Sequence, residues 1–232
     1  KAVAEGSNEI IAARELLELF DCKGALVTAD AIHCNSATAG AILERGGDYL
    51  LALKENRPVT LRDVKDYLAD PKAAIADRHE TVDANHGRVE TRRHTVVHDV
   101  GWLFAGRPDK DHPALPALKT IGMIEAIVER DGRTTRSLRY YLSSARLSAP
   151  AFAKAVRAHW NIENGLHWVL DMAFDEDRSR ARKDHAAENL AIIRKLALNI
   201  LKTARPDISI RRKRKRSGWS EAFARTIIGQ MR

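Results

Sequence analysis

Cysteine is scarce in this chain of 232 residues, which contains only Cys22 and Cys34. Two cysteines cannot build the disulfide framework of a small secreted domain, and their spacing does not suit a zinc knuckle. Apolar runs are also short, and none approaches the roughly 18 residues that a membrane-spanning helix needs. The first residues contain no apolar stretch of a signal peptide and no initiator methionine. We therefore expect a cytoplasmic protein without a membrane partner, and either a fragment or a processed product.

The composition is that of a globular protein with a basic surface. Hydrophobic residues make up 44% of the chain and charged residues 30%. Lys and Arg number 39 against 31 Asp and Glu, which gives a formal net charge of +8. Such an excess favours polyanionic partners, nucleic acid first among them. The alternative is a protein that is merely basic.

The N-terminal third alternates between amphipathic and apolar segments. Short apolar runs followed by helical patterns are typical of an α/β layer with a parallel sheet. The pattern predicts a helix at Asn8–Phe20, a strand at Gly24–Ala29, a helix at Asn35–Arg45, a strand at Asp48–Lys54 and a helix at Pro58–Leu68.

From residue 79 to residue 145 the pattern is that of β-structure. Val89–Val97 alternates and is rich in Thr, Val and Arg, while Gly106–Pro116 has the three prolines of a loop. Thr120–Val128 and Ser137–Ser143 flank Asp131-Gly132, a strong hairpin signal. We interpret this region as a β-rich insertion in an α/β protein.

The C-terminal part is helical. Phe152–Phe174 predicts one long amphipathic helix, and Ala186–Lys202 predicts a second, followed by the cationic block at residues 211–216. The inward faces are predicted to carry Ile162, Leu166, Val169 and Ala173 in the first helix, and Leu190, Ile193, Leu196, Ala197 and Ile200 in the second. These patterns predict a partial α/β core at 1–78, a β-rich insertion at 79–145, two further core helices at 146–204 and a basic tail at 205–232.

Two acidic residues are candidates for chemistry. Asp30 ends an apolar strand, and ligands bind beyond that edge of a parallel sheet. A turn-initiating Asp is the alternative. Glu163 lies at the border of the apolar face of its helix, where it could reach a sheet edge or simply contact His167 one turn later. Gly165 is unfavourable in a helix, which suggests that something approaches the backbone closely there.

Two strings in the N-terminal third, GALVTADA at residues 24–31 and GGDYLLALKEN at 46–56, are similar to known transposase sequences. They resemble the second-aspartate strand and the strand after it in the H-repeat-associated family of bacterial insertion-sequence transposases of the acidic-triad (DDE) type. The string HGRVETRR at 86–93 is similar to a motif in the inserted β region, and 157–171 resembles the glutamate helix. Asn189-Leu190-Ala191 and the basic stretch before Gly218-Trp219 also match, so the resemblance covers nearly the whole chain.

The resemblance implies a ribonuclease-H-like fold, with a parallel or mixed sheet interrupted by a β-rich insertion and completed by C-terminal helices. It implies two Mg²⁺ ions held by Asp, Asp and Glu, with Asp30 as the second aspartate and Glu163 as the glutamate. Two such ions activate a nucleophile and stabilise the leaving oxygen in phosphoryl transfer. The implied partner is double-stranded DNA at insertion-sequence terminal repeats, bound by a possible homo-oligomer, and the implied location is the nucleoid.

Two departures from the family pattern bear on activity. The family's first aspartate lies on the opening strand of the sheet, and this chain begins after it. We therefore expect the polypeptide alone to cleave no DNA. In related insertion-sequence transposases, a Tyr and an Arg precede the glutamate and a Lys follows it. The corresponding residues here are Val156, His159 and Leu170. Of these, His159 can still donate to a phosphate.

Candidate DNA contacts fall in three groups, each with a structural alternative. The β region could be a solvated face with its own Arg–Glu pairs, the tryptophans could pack in the core, and the basic block could be a disordered charge run. As DNA contacts, the candidates are His86, Arg88, Arg92 and Arg93 in the β region, His159, Trp160 and His167 in the glutamate helix (where Trp168 could also stack on a base), and Arg211, Arg212, Lys213 and Arg214 in the basic block.

Three functions are compatible with these features. The first is a DDE transposase catalytic domain, which cleaves and transfers DNA strands. The second is a non-catalytic DNA-binding remnant that regulates transposition, and the third is a ribonuclease-H-like nuclease with another role. An open reading frame upstream of Lys1 encoding a strand that ends in Asp-Gly would favour the first function over the second.

Overall fold

A computed structural model describes residues 9–85, 87–105 and 113–230. The chain forms two compact units, residues 1–159, which we term the sheet unit, and residues 160–232, the helical unit. The predicted domain boundaries stay a prediction. The helices are α1 (Glu9–Leu17), α2 (Ser36–Glu44), α3 (Pro58–Ala69), α4 (Ala149–Ile162), α5 (Trp168–Phe174), α6 (Ala186–Thr203), α7 (Ile210–Trp219) and α8 (Glu221–Gly229). The strands are β1 (Leu26–Ala29), β2 (Asp48–Leu53), β3 (Ile75–Asn85), β4 (Arg88–Val97), β5 (Thr120–Arg130) and β6 (Arg133–Ser143).

The six strands form one mixed sheet in the order β1-β2-β6-β5-β4-β3. β1 and β2 are parallel, and the remaining neighbours are antiparallel. The β-rich region continues the sheet, because β6 pairs with β2 from Leu50↔Ser143 to Leu53↔Tyr140. The α/β fold class is confirmed, and so is the hairpin. Its two-residue turn has positive φ at Asp131 (51°) and Gly132 (71°), as a turn of this kind requires.

Both faces of the central strand β2 are buried, which explains its continuous apolar sequence. Tyr49, Leu51 and Leu53 lie in the core shared with α2 and α3. The intervening Leu50 and Ala52 pack with α4 on the other face. The sheet unit therefore has three layers, with α2 and α3 on one side of the sheet and α4 on the other.

Local sequence signals fix the helices of the sheet unit. The Asn35 side chain caps α2 by accepting a hydrogen bond from the Thr38 backbone N–H (2.9 Å), and Pro58 stands in the first turn of α3. The start of α4 is held from a distant strand, since Asp77 Oδ2 in β3 accepts from the Ala149 backbone N–H (2.8 Å). This contact fixes α4 to the antiparallel part of the sheet.

Phe152 anchors α4 to the sheet. Its side chain is fully buried, and its ring lies edge-on to Tyr141 (5.4 Å) and His94 (6.1 Å). Gly122 in β5 leaves the room for this ring, because a Cβ at that position would come within 2.5 Å of Phe152 Cζ. A glycine in the middle of a strand thus marks the close approach of a helix.

His94 makes the stability of the sheet unit depend on pH. Its ring is buried under α4, with Nδ1 3.2 Å from the His79 carbonyl oxygen, and burial lowers its pKa. The folded state therefore favours the neutral ring, whereas the unfolded chain takes up a proton below about pH 6.5. The contribution of His94 to the free energy of unfolding is therefore fully present above about pH 6.5 and decreases as the pH falls below it.

We expect the free energy of unfolding of the sheet unit to decrease below about pH 6.5, with a contribution from His94 of at most about 1.4 kcal/mol per pH unit. His94→Gln should flatten this dependence, and His185→Gln, at an exposed position, should leave it unchanged. Amide hydrogen exchange of β4 and β5 as a function of pH measures this dependence in the two variants. An unchanged pH profile in the His94 variant would contradict this assignment.

The helical unit has a core of its own, but it leaves much of α6 exposed. Leu201, Ala204 and Ile227 pack with Phe174 and Phe223. Leu198 and Leu201 are the buried apolar residues of α6, whereas three residues predicted to face inward are exposed: Leu190, Ile193 and Leu196. The prediction is wrong for these three residues because α6 packs through its C-terminal turns, where Ile200 contacts the core as predicted.

The segment predicted as one helix from Phe152 to Phe174 contains a π-helical turn at Glu163–His167 between α4 and α5. The extra residue rotates the positions that follow, so the predicted apolar face does not continue through the turn, and Ile162 is exposed.

Within the described residues, no helix has both the length and the apolar content needed to cross a bilayer.

Candidate functional site

Asp30 lies directly beyond the carboxyl end of β1. Because β1 and β2 are parallel, with Ala29 opposite Leu51, the residues after both strands lie at the same edge of the sheet. Lys54 follows β2, and its Nζ lies 2.9 Å from Asp30 Oδ1. The side chains remain accessible, at 61% exposure for Asp30 and 57% for Lys54. The edge thus carries an exposed carboxylate paired with an exposed ammonium group.

The surroundings keep Asp30 ionised. The hydrogen bond from Lys54 lowers its pKa most, partial burial opposes this, and the backbone of Ala31 and the charge of His159 lower it further. An ionised carboxylate at a sheet edge is a hard oxygen ligand of the kind that Mg²⁺ prefers. Asp30 is therefore suited, in charge and in position, to bind a divalent cation.

Two further contacts complete the group at this edge. Thr28 Oγ1 in β1 shares a hydrogen bond with His159 Nδ1 in α4 (3.1 Å), and Asn56 Nδ2 donates to the Ala31 carbonyl oxygen (2.6 Å). The first contact brings the imidazole to the end of β1, and the second holds the 3₁₀ turn Ala31–His33 that follows Asp30. We name Thr28, Asp30, Lys54, Asn56 and His159 the Asp30 cluster.

The sequence indicates Asp30 and His159, but not Lys54, Thr28 or Asn56, as site residues. Lys54 could have been found, because it ends the second apolar strand as Asp30 ends the first, and parallel strands align their carboxyl ends. The Thr28–His159 contact joins residues far apart in the sequence and needed the packing of α4. No local signal indicates it.

An ion-pair network holds α4 over the hairpin of β3 and β4. Asp83 Oδ2 accepts from Arg92 Nη1 (2.6 Å) and from Arg157 on α4. The hydrogen bond from Arg92 is the main cause that lowers the pKa of Asp83. Arg92 also contacts Glu90 (2.6 Å), so that one strand face carries alternating charges. This network positions the helix that presents His159.

The predicted DNA-contacting arginines of the β region are paired within the protein. Arg88 Nη2 lies 3.6 Å from Glu90 Oε2, and Arg93 Nε lies 2.8 Å from Glu80 Oε2. Arg92 is the most enclosed of the three, at 19% exposure. These contacts are the Arg–Glu pairs that the alternative interpretation of the β region predicts. Binding of DNA by these arginines stays a prediction. His86 lies outside the described residues.

Glu163 opens the π-helical turn, and its side chain lies outside the described residues. Its predicted convergence with Asp30 therefore stays a prediction. Trp160, His167 and Trp168 are exposed, so these aromatic rings are accessible for stacking. A Cβ at Gly165 would meet nothing within 4 Å, but the Gly165 carbonyl accepts a hydrogen bond from Lys202 Nζ (2.7 Å), so the close approach to the backbone is made by this side chain.

The basic block is helical, and its residues differ in accessibility. Arg211 and Arg212 are exposed. Lys213 is only 3% exposed, because its Nζ donates to the carbonyl oxygens of Leu201 (2.9 Å) and Ala204 (2.6 Å) at the end of α6. In this structure Lys213 is a helix cap and is not placed to bind phosphate. Arg214 donates to the Ala173 carbonyl, and its guanidinium lies 5.5 Å from the Phe174 ring centroid.

The donor set at the sheet edge is right in type for a hard cation but small in number. Across the described ranges, no group of three or more His, Cys, Asp or Glu side chains could hold a metal ion. Asp30 contributes one carboxylate, which forms an ion pair with Lys54. A two-metal site requires further carboxylates beyond those described.

Comparison with known proteins identifies sequences similar to this chain. The family described as Transposase DDE domain matches residues 2–200. "Putative transposase YncI" of Escherichia coli O157:H7 is 36% identical over 228 residues, which is 96% of this chain and 57% of that protein. "H repeat-associated putative transposase YhhI" of Escherichia coli K12 is 34% identical over 231 residues, or 97% of this chain and 60% of that protein. The chain thus spans about three fifths of these relatives' length.

Proposed function

Since the chain belongs to the Transposase DDE domain family, we propose that it is part of the catalytic region of a transposase that cleaves and transfers DNA strands at insertion-sequence ends. The observation that carries this proposal is Asp30, an ionised carboxylate at the carboxyl edge of a parallel strand pair, flanked by Lys54 and His159. A divalent cation and a phosphodiester are the ligands that such a mixture of charges suits.

Asp30 and Glu163 are the residues that we propose as ligands of Mg²⁺. Two such ions, when bound, make a water or a 3′-hydroxyl nucleophilic and stabilise the leaving oxygen. What the chain's own residues do is fix this edge. Asn56 holds the turn after Asp30, Thr28 orients the His159 ring, and Asp83 and Arg157 hold α4.

For the 232-residue polypeptide by itself, we propose DNA binding without cleavage. Among the described residues no group of three or more possible ligands lies together, whereas a two-metal centre needs several carboxylates in one place. This observation also favours the second candidate function, a non-catalytic DNA-binding remnant that regulates transposition. The proposed partner in both cases is duplex DNA with insertion-sequence terminal repeats, bound by a homo-oligomer in the cytoplasm.

The test uses the purified 232-residue chain and a labelled terminal-repeat duplex in Mg²⁺. We expect binding at low salt, Mg²⁺ affinity weaker than millimolar, and no nicked product. Mg²⁺-dependent nicking that Glu163→Gln abolishes, and that the control Glu188→Gln on α6 retains, would overturn the proposal that this chain is inactive. A chain that binds no duplex at low salt would overturn the DNA-directed function itself.

A further inference from the structure

We propose that Lys54 and His159 are a phosphate-binding pair beside Asp30, and that Asp30 withholds Lys54 until the carboxylate is neutralised. The ligand is a non-bridging oxygen of a DNA phosphodiester. This inference rests on the proposed DNA-directed function and deepens it. It assigns to two residues of the Asp30 cluster a contact to DNA that is separate from metal binding.

Lys54 can exchange its partner because its ion pair is exposed. Both Lys54 and Asp30 are more than half exposed, and an ion pair of that kind contributes only about 0–1 kcal/mol. The lysine stem has four flexible carbons, so its ammonium group can move to a neighbouring anion. A cation bound at Asp30, or the replacement of Asp30 by Asn, therefore frees Lys54 for phosphate.

His159 is oriented for donation by Thr28. The Nδ1–Oγ1 hydrogen bond of 3.1 Å fixes the imidazole against β1. When the Thr28 hydroxyl donates to Nδ1, the ring carries its proton on Nε2, which then can donate to a phosphate oxygen. Within the part of the chain described, Nε2 has no hydrogen bond of its own. Thr28 lies two residues before Asp30, which pairs with Lys54, so the ring held by Thr28 and the ammonium group of Lys54 belong to the same edge of the sheet.

The charges of Asp30, Lys54 and His159 explain why Lys54 binds phosphate only after the charge of Asp30 is compensated. A bare Asp30 repels a phosphodiester, so the pair binds DNA weakly while the carboxylate is uncompensated. Neutralising Asp30 removes this repulsion and adds one free ammonium group. Phosphate binding by Lys54 and cation binding by Asp30 therefore favour each other.

The experiment measures duplex binding of the 232-residue chain without divalent ions. Asp30→Asn should tighten binding by about fivefold and steepen the dependence of log K on log salt by about one phosphate contact. In the Asp30→Asn background, Lys54→Met should abolish the gain in slope and most of the gain in affinity, leaving only the part that comes from the lost repulsion by Asp30. Lys72→Met, which removes an exposed lysine far along the chain from Lys54, should retain both.

Equal affinity and slope in Asp30→Asn with and without Lys54→Met would overturn the role of Lys54, because the gain would then come from lost repulsion alone. The proposed function would survive that result. Failure of the unaltered chain to bind duplex at low salt would instead overturn the proposed function, so the two failures are distinguishable.

The role of Thr28 and His159 is tested by a double-mutant cycle in the Asp30→Asn background. Thr28→Val and His159→Gln should each weaken duplex binding by several-fold, and the double variant should lose no more than His159→Gln alone. The ¹⁵N NMR signal of His159 Nε2 should shift when duplex is added, and Thr28→Val should reduce this shift. Additive losses, or an unchanged ¹⁵N signal, would overturn the role of His159.

Discussion

Replacement of Phe152 by Ala should lower the free energy of unfolding of the sheet unit by about 3–5 kcal/mol. The ring is fully buried between Tyr141, His94 and the backbone at Gly122, so its removal leaves a cavity where α4 meets the sheet. A close-packed interior cannot collapse fully around such a gap. Amide hydrogen exchange of β4, β5 and β6 reports the loss.

The matched control is Phe20→Ala, which removes the same group from an exposed position, and it should change stability by less than about 0.5 kcal/mol. Gly122→Ala tests the same contact from the other side, since its Cβ would overlap the Phe152 ring. We expect it to destabilise by about 1–3 kcal/mol, and Phe152→Leu to recover part of that loss. A Phe152→Ala variant as stable as Phe20→Ala would show that α4 is not anchored here.

Duplex DNA affinity should fall by about a thousandfold when monovalent salt rises from about 50 to 200 mM, provided that the chain neutralises roughly six phosphates. Binding to a polyanion releases condensed counterions, and the net charge of +8 makes this contribution dominant. Fluorescence anisotropy over a salt series, with a terminal-repeat and a scrambled duplex, measures the slope. A flat affinity over this range would rule out a phosphate-dominated interface.

The exposed arginines of α7 should carry part of that slope. Arg211→Gln together with Arg212→Gln should reduce it by about two contacts on both duplexes. Arg225→Gln is the control, because this arginine pairs with Glu221 (2.6 Å) on α8. Lys213 is unsuitable for this test, since its replacement removes two hydrogen bonds that cap α6 and would destabilise the helical unit.

The elements that the sequence predicted well are those with strong local signals. The turn at Asp131-Gly132 has φ values that few other residue pairs accept, and Asn35 and Pro58 stand at the starts of their helices. The π-helical turn at Glu163–His167 has no comparable signal, so a continuous helix was predicted. The exposed face of α6 was also predicted wrongly, because periodicity shows that a face is apolar but not what covers it.

The candidate site was predictable only in part. Asp30 was found from its place at a strand end, and the resemblance to DDE transposases is confirmed by the family match over residues 2–200. From the sequence, the pairing of Arg88, Arg92 and Arg93 with nearby carboxylates could be given only as an alternative to DNA contacts by these arginines. Which lysines and arginines are enclosed depends on helix packing, as Lys213 shows.

The amino-acid sequence by itself determined the α/β class, the parallel strand pair ending at Asp30 and the family, because these depend on local periodicity, turn residues and long matching strings. Tertiary structure alone decided that Lys54 pairs with Asp30, that Thr28 holds His159, and that Phe152 lies against Gly122. The physical reason is that hydrogen bonds and close packing act over a few ångströms. Residues far apart in the chain therefore acquire their partners only when the sheet and its helices are assembled.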